Sequence, residues 1–213
     1  MSLRTLLVLG ILACIAGWWF SDHRKGPQAP AAAGDLTLEC PLPPRVAAGD
    51  PPLQTDAPGQ LAPFALRAAT LTPLAGFSVD ARVLSRKDYA SGREADLSPT
   101  DLALGWQRMS DDDVLNALAI SQSGRWYHYR WSDQPPLPPA EIVRSSANMH
   151  MIPGTDAVAR ALAEVRADQR VRIDGWLVEA KAGDGWRWRS STSRTDSGGG
   201  ACEVVYVCAI TRL

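Results

Sequence analysis

The sequence predicts an α+β fold class: an N-terminal transmembrane helix, a Pro-rich linker, and a β-rich domain with two or three short helices. Three observations predict it. An uncharged run lies near the N-terminus, a stretch rich in Pro, Ala and Gly follows it, and alternating or aromatic segments dominate the rest. The expected boundaries are 1–25 for the anchor, 26–66 for the linker and 67–213 for the domain. A chain of 213 residues has room for one ordinary domain beside these two segments.

The composition excludes several classes of protein. Lys and Arg number 22 against 23 Asp and Glu, so the net charge is −1 and nucleic acid is not an expected partner. Sixteen Pro and 17 Gly are too many for a helical bundle. No motif of a nucleotide-binding protein, a kinase, an α/β-hydrolase or a zinc enzyme is found, and neither a cofactor nor a metal is expected.

The N-terminal run covers residues 6–20 and is flanked by Arg4 and by the charged residues 22–25. At about 1.5 Å per residue it reaches roughly 23 Å, less than the ~30 Å of a hydrocarbon layer, so neighbouring residues would have to contribute. We expect an uncleaved signal anchor that contacts lipid through residues 5–20. A cleaved secretory signal and a lipoprotein signal acylated at Cys14 are the alternatives.

The orientation follows from the short segment before this run. The flanking positive charges nearly balance, but a short N-terminal tail followed by a large domain favours a domain outside the cytoplasm. We therefore expect a single-pass inner-membrane protein with a periplasmic C-terminal domain. Residues 26–66 contain almost no aromatic side chains and predict a semi-extended tether.

The domain begins with segment 77–84, in which apolar and polar residues alternate as in a half-buried strand. Segments 97–106 and 109–120 are expected to be short helices. The first would start at Ser98 and Pro99, and the second would start at a capping box made by Ser110 and Asp113.

Later segments complete the pattern. An aromatic strand is expected at 125–131, a helix capped by Thr155 or Asp156 at 156–165, and strands at 171–180, 185–191 and 202–210. This order suits a small, partly open OB-like barrel with a helix between its third and fourth strands. A plain α+β meander fits it as well.

Three cysteines follow Cys14, namely Cys40, Cys202 and Cys208. Cys202 and Cys208 fall on one predicted strand, roughly 20 Å apart, and cannot pair with each other. Buried free thiols are the favoured expectation. The alternative is a disulfide from Cys40 to Cys202 or Cys208, which would fix the tether to the domain.

Two groups of residues are candidates for function. His150 and Cys202, with Glu203 nearby, supply the parts of a Cys/His hydrolase, although the favoured interpretation of His150 is a histidine bonded to loop backbone before a helix. The second group is a binding surface. Aromatic and basic residues alternate on the strands, although core and cross-strand packing is the favoured interpretation of most of the tryptophans. The Ser- and Gly-rich loop 190–200 is a candidate anion cradle with Arg194, and a mobile hairpin loop is its favoured interpretation. The candidate ligand-binding residues are Trp126, His128, His150, Arg194, Asp196 and Glu203.

Segments 101–106, 146–153 and 188–203 resemble a group of single-pass, membrane-anchored proteins of proteobacteria for which no activity is known. The resemblance covers about residues 70–210. It implies an envelope location, and it carries over no functional residue. The function expected from the sequence is a membrane-tethered, extracytoplasmic binding or assembly domain. Its partner would be an envelope protein or a small ligand, and a Cys/His envelope hydrolase is the alternative.

Overall fold

The structure, a computed structural model, describes residues 3–19, 27–34, 40–57, 59, 61–193, 196, 198 and 200–213. Its first element is helix α1 (Leu3–Trp19), which covers nearly all of the uncharged run. Within the described residues, no helix has both the length and the apolar character that crossing a bilayer requires. The transmembrane anchor stays a prediction.

Five strands form the centre of the domain. They are β3 (Thr70–Asp88), β4 (Thr100–Gly105), β7 (Ser146–Pro153), β8 (Arg170–Lys181) and β10 (Glu203–Arg212). Pairing runs from β3 to β4, β7, β10 and β8, and β8 pairs again with β3, so the sheet is partly ring-like. The pair β7–β10 is parallel, whereas the other pairs of the ring are antiparallel. The α+β class with a β-rich domain is confirmed.

Strand β3 can pair with two ring neighbours because it is long and irregular. It contains 19 residues, and its register shifts at Pro73/Ala75 against β8 and at Val83/Ser85 against β4. Such irregularities bend a strand and increase its twist. The strand expected at 77–84 is confirmed, and Phe77, Val79 and Val83 are fully buried in the ring interior. The expected half-burial was wrong, because the polar Ser78 and Asp80 on the other face are buried as well.

Part of the expected tether packs on the domain. Strand β1 (Leu53–Asp56) pairs with β3, strand β2 (Phe64–Ala65) pairs with its start, and Val46 is buried. Cys40 and Cys208 form a disulfide with a Cα–Cα distance of 5.3 Å. The favoured expectation of free thiols was wrong for this pair. The bond and the added strand offset the entropy that a Pro-rich segment loses on ordering.

The prediction of a helix at 97–106 was wrong. A short helix, α2 (Arg93–Leu97), ends where it was expected to begin, and the following residues form β4. All six residues of β4 are buried between β3 and β7. A strand with neighbours on both sides gains ladder hydrogen bonds along its whole length, and these contacts override the local helical signal.

The expected capping box was also wrong. Helix α3 (Asp112–Asn116) follows a 3₁₀ turn at Gln107–Ser110, and its cap residue Asp111 makes no side-chain capping bond. The Ser110 hydroxyl donates instead to the carbonyl oxygen of Gln107. The Ser110 hydroxyl is thus bonded within the 3₁₀ turn and does not cap the helix.

The remaining elements surround the ring. Strands β5 (Ala119–Ser123) and β6 (Trp126–Arg130) form a separate hairpin, followed by α4 (Pro139–Arg144). Helix α5 (Asp156–Glu164) follows β7 and precedes β8 in the sequence. The hydroxyl of its cap residue Thr155 accepts from the Val158 N–H. Strand β9 (Arg187–Arg189) extends the sheet beside β8. The aromatic strand and the capped helix are confirmed.

Candidate functional site

A buried carboxylate lies at the centre of the candidate site. Asp101 on β4 is paired in register with His150 on β7, so both side chains point to the same face of the sheet. Asp101 has no exposed side-chain area, and its Oδ1 lies 2.9 Å from His150 Nδ1. A buried charge of this kind is tolerated only when it is paired and hydrogen-bonded.

Arg125 supplies the opposite charge. Its Nη1 donates to Asp101 Oδ1 at 2.8 Å and to the carbonyl oxygen of Ser98 at 2.9 Å. The guanidinium also lies over the ring of Tyr89, 3.8 Å from its centroid. These contacts hold the turn of the β5–β6 hairpin against the ring.

The backbone of that turn is unusual. Gly124 and Arg125 have φ of 56° and 70°, as in the type I′ turns that join two strands through two residues. Glycine adopts this conformation freely, whereas arginine does so at a cost of about 1 kcal/mol. The ion pair with Asp101 offsets that cost.

Asn148 joins the hairpin to the carboxylate. Its Nδ2 donates to the carbonyl oxygen of Arg125 at 3.0 Å and to Asp101 Oδ2 at 3.4 Å, and its Oδ1 accepts from Gln122 Nε2 at 2.7 Å. We call Asp101, Arg125, Asn148 and His150 the polar cluster. Each member bonds to another member, so the cluster fixes the hairpin relative to β4 and β7.

A cavity of about 200 Å³ opens between the hairpin, β7 and the loop that precedes β10. Four aromatic residues line it, namely Trp106, Trp126, Tyr127 and Tyr129. The Tyr127 hydroxyl lies 2.9 Å from Ser146 Oγ, and burial raises the pKa of Tyr127 well above its ordinary range. Tyr127 therefore stays neutral and acts as a fixed wall. We call this space the aromatic cavity.

Four residues singled out from the sequence line the aromatic cavity. They are Trp126, Asp196, Cys202 and Glu203. Trp126 is 39% exposed at the mouth, whereas Glu203 is 1% exposed. The loop and the hairpin thus bring together residues that are far apart in the sequence.

The other predicted residues lie elsewhere. His150 belongs to the polar cluster, and its ring contacts that of Trp188 with a centroid distance of 4.7 Å. His128 is exposed, and its Nε2 lies 3.2 Å from Ser123 Oγ across the hairpin. Arg194 lies outside the described residues, so the expected anion cradle stays a prediction.

The His150–Cys202 pair of the hydrolase alternative is not assembled. Among the described residues, no hydrogen bond joins the two side chains, and His150 Nδ1 faces Asp101. Burial, followed by the charge of Asp101, raises the pKa of the Cys202 thiol to about 11, although a hydrogen bond with Asn148 opposes this rise. Because the thiolate is the nucleophilic form, the structure gives this cysteine no activation.

The described part of the chain holds no group of three or more His, Cys, Asp or Glu side chains arranged to bind a metal ion. The groups that line the aromatic cavity are aromatic rings, carboxylates, a thiol and hydrogen-bonding groups.

Sequence reasoning missed Asp101, Arg125 and Asn148. Asp101 was placed in a helix, so its alignment with His150 was not visible. The dipeptide Gly124-Arg125 between two short alternating segments is the signal that could have indicated a two-residue hairpin turn.

Comparison with known proteins gives no match to a family model, to a curated protein or to a solved structure.

Proposed function

We propose that the protein is a membrane-tethered binding domain of the bacterial envelope, and that its ligand site is the aromatic cavity. The domain would be periplasmic and anchored in the inner membrane by the N-terminal segment. The occupant would be a small ligand or a side chain presented by an envelope protein. The observation that carries this proposal is the cavity itself, a concave aromatic space with a few polar groups.

The disulfide supports the location. Disulfides persist in oxidising compartments such as the bacterial periplasm and are rare in the cytosol. The bond between Cys40 and Cys208 closes nearly the whole domain, with a sequence separation of 168 residues. A domain that depends on this bond would need export, as the uncharged N-terminal run also suggests.

The strand order supports an OB-like barrel as the finer description of the fold. The five ring strands pair in the order first, second, third, fifth, fourth and again first, and α5 lies between the third and fourth. OB barrels bind ligands on the face of their second and third strands, beside the loop between the fourth and fifth. The aromatic cavity lies against β7, the third ring strand, and beside the loop before β10, the fifth.

The location is tested by fusing alkaline phosphatase after Leu213 and measuring its activity in intact cells. Activity supports a domain outside the cytoplasm, because the enzyme needs oxidised disulfides to fold. An inactive fusion that is nevertheless full-length would contradict the proposed topology.

The site is tested with native mass spectrometry of the full chain, purified from envelope membranes in mild detergent. A retained small molecule is expected, and it should be absent from the Ala201→Leu variant, which fills the cavity. For a protein partner, a photo-reactive residue at Trp126 should give a crosslink that the same residue at Arg160, exposed on α5, does not give. Equal results at both positions, together with no retained molecule, would contradict a site at the cavity.

A further inference from the structure

The chain is bound to the domain soon after the expected anchor. The backbone N–H of Ala29 donates to Asp156 Oδ1 at 2.9 Å, in the first turn of α5. Further along, the Ala33 N–H donates to the carbonyl oxygen of Ala65 at 3.0 Å. We call residues 27–34 the docked segment, because these contacts hold it on the folded domain.

Other contacts hold the far end of the docked segment. Ala32 forms a β-bridge with Leu66, and the carbonyl oxygen of Ala31 accepts from the Arg67 N–H at 2.9 Å. Shortly after the segment, Cys40 is joined covalently to the last strand by its disulfide. A short connection to a fixed point keeps the segment near its contacts and lowers the entropy that docking costs.

The docked segment begins at one end of strand β7. Pro27 and Gln28 line a cavity of about 300 Å³ together with Pro153, the last residue of β7, and Leu162 of α5. The first residue of β7, Ser146, lines the aromatic cavity. At ~3.3 Å per residue the two ends of β7 are roughly 23 Å apart. The chain therefore reaches the domain at the end of β7 that is remote from the aromatic cavity.

Few residues connect the anchor to this point. The uncharged run ends at Phe20, and residues 21–26 separate it from Pro27. The seven steps from Phe20 to Pro27, at most about 3.6 Å each, span no more than about 25 Å. A free tether over the whole of 26–66 would instead reach about 150 Å. Docking thus shortens the distance that the domain can move from the bilayer about sixfold.

We propose that the domain is held within about 25 Å of the bilayer surface, with the Pro153 end of β7 nearer to the lipid than the aromatic cavity. The proposal rests on the proposed function, because it takes the N-terminal run as the anchor. The order follows because the chain enters the domain at the Pro153 end and the bilayer excludes the folded protein.

This position limits which partners can reach the aromatic cavity. The span of about 25 Å and the ~23 Å length of β7 together place the cavity within about 50 Å of the bilayer surface. An envelope protein that presents a side chain to the cavity is therefore one that is itself held at the inner membrane.

The experiment measures energy transfer between the domain and the bilayer. The full chain is reconstituted into phosphatidylcholine vesicles in which a fraction of the lipids carry an acceptor dye on the head group. A fluorescent donor residue replaces Ala157, which is exposed on the first turn of α5, or Ser123, which is exposed on the hairpin opposite Trp126. The acceptor should cause a greater loss of donor emission at Ala157 than at Ser123.

Two matched insertions test whether the docked segment sets the distance. A stretch of about 20 Gly and Ser residues has a mean reach of roughly 25 Å. Inserted between Gly26 and Pro27, ahead of the docked segment, it should reduce the energy transfer from Ala157. Inserted directly after Gly34, it should leave the transfer unchanged, because the contacts of the docked segment still fix Pro27 to the domain. Circular dichroism of both insertion variants checks the fold.

Three results would overturn the proposal, and they differ in what else they affect. If both insertions reduce the transfer from Ala157 equally, the segment is not docked, while the anchor and the aromatic cavity are unaffected. If Ser123 transfers energy as strongly as Ala157, the proposed order of the two ends is wrong. If the full chain does not float with the vesicles in a density gradient, the anchor is wrong, and the proposed location fails with it.

Discussion

Replacing Arg125 tests whether the polar cluster holds the hairpin on the ring. Removing one partner of a buried ion pair costs about 3–5 kcal/mol because the other charge is left uncompensated. Asp101 would keep His150 and Asn148, so we expect Arg125→Ala to lower the free energy of unfolding by about 3 kcal/mol, the low end of that range.

A second variant, Arg125→Gly, separates the loss of the ion pair from the backbone cost of the turn. It loses the same ion pair, but it also relieves the positive φ of 70°, a gain of about 1 kcal/mol. The glycine variant should therefore be more stable than the alanine variant and less stable than the unmodified protein, with a net loss of about 2 kcal/mol.

Urea unfolding followed by tryptophan fluorescence measures both effects. With a slope near 2 kcal/mol per molar, the midpoints should fall by about 1.5 M for alanine and about 1 M for glycine. Arg130→Ala, an exposed arginine on the same hairpin, should stay within ~0.5 kcal/mol of the unmodified protein. An alanine variant within ~1 kcal/mol of the unmodified protein would refute the role of the ion pair. If the glycine variant is no more stable than the alanine variant, the positive φ of Arg125 does not carry the backbone cost that we assign to it.

Three further predictions concern the disulfide, the buried, ion-paired carboxylate of Glu179 and the thiol of Cys202. Cys40→Ser should cost about 2–5 kcal/mol of stability in urea unfolding, as should reduction of the unmodified protein, whereas Cys14→Ser should cost nothing measurable. Burial would raise the pKa of Glu179, but hydrogen bonds from Lys181, Arg187 and Arg189 lower it to about 2. The ionised carboxylate stabilises the fold at pH values above the ordinary pKa of 4.5, and this stabilisation is lost as the pH falls toward 2. In Glu179→Gln, the free energy of unfolding should therefore depend less steeply on pH between 4.5 and 2. An unchanged dependence on pH would contradict this assignment. In a Cys14→Ser background, Cys202 of the folded protein should react with iodoacetamide at pH 8 about 100-fold more slowly than in urea, because its pKa is about 11 instead of 9; equal rates would show an accessible, ordinary thiol.

Local patterns predicted the elements whose stability is decided locally. The alternation in 77–84 and the aromatic content of 125–131 indicated strands that the structure contains. The spacing after Thr155 likewise indicated a capped helix. In each case the residues that define the element also define its buried face, so one segment is enough to predict it.

Long-range pairing decided what could not be predicted. Thr100–Gly105 is a strand because β3 and β7 enclose it, and neither neighbour can be inferred from those six residues. The candidate site has the same origin. Asp101 contacts His150, 49 residues away in the sequence, and Arg125, 24 residues away. Each contact depends on a strand register that only the folded sheet fixes. Trp126, Asp196, Cys202 and Glu203 were chosen for their chemistry, and their meeting at one cavity depends on how the loop before β10 returns to the hairpin.

The bond from Cys40 to Cys208 also determines how the molecule responds to mechanical load. Tension applied between the N-terminal segment and Leu213 passes through the two sulfur atoms and then along the last residues of β10. While this bond is intact, that tension cannot extend the covalent chain between the two cysteines. The load reaches the ring only through hydrogen bonds made outside them, such as those of residues 209–212 with β8 and that of the Ala33 N–H with the carbonyl oxygen of Ala65. The bond thus limits how far a pull on the N-terminal segment can open the domain.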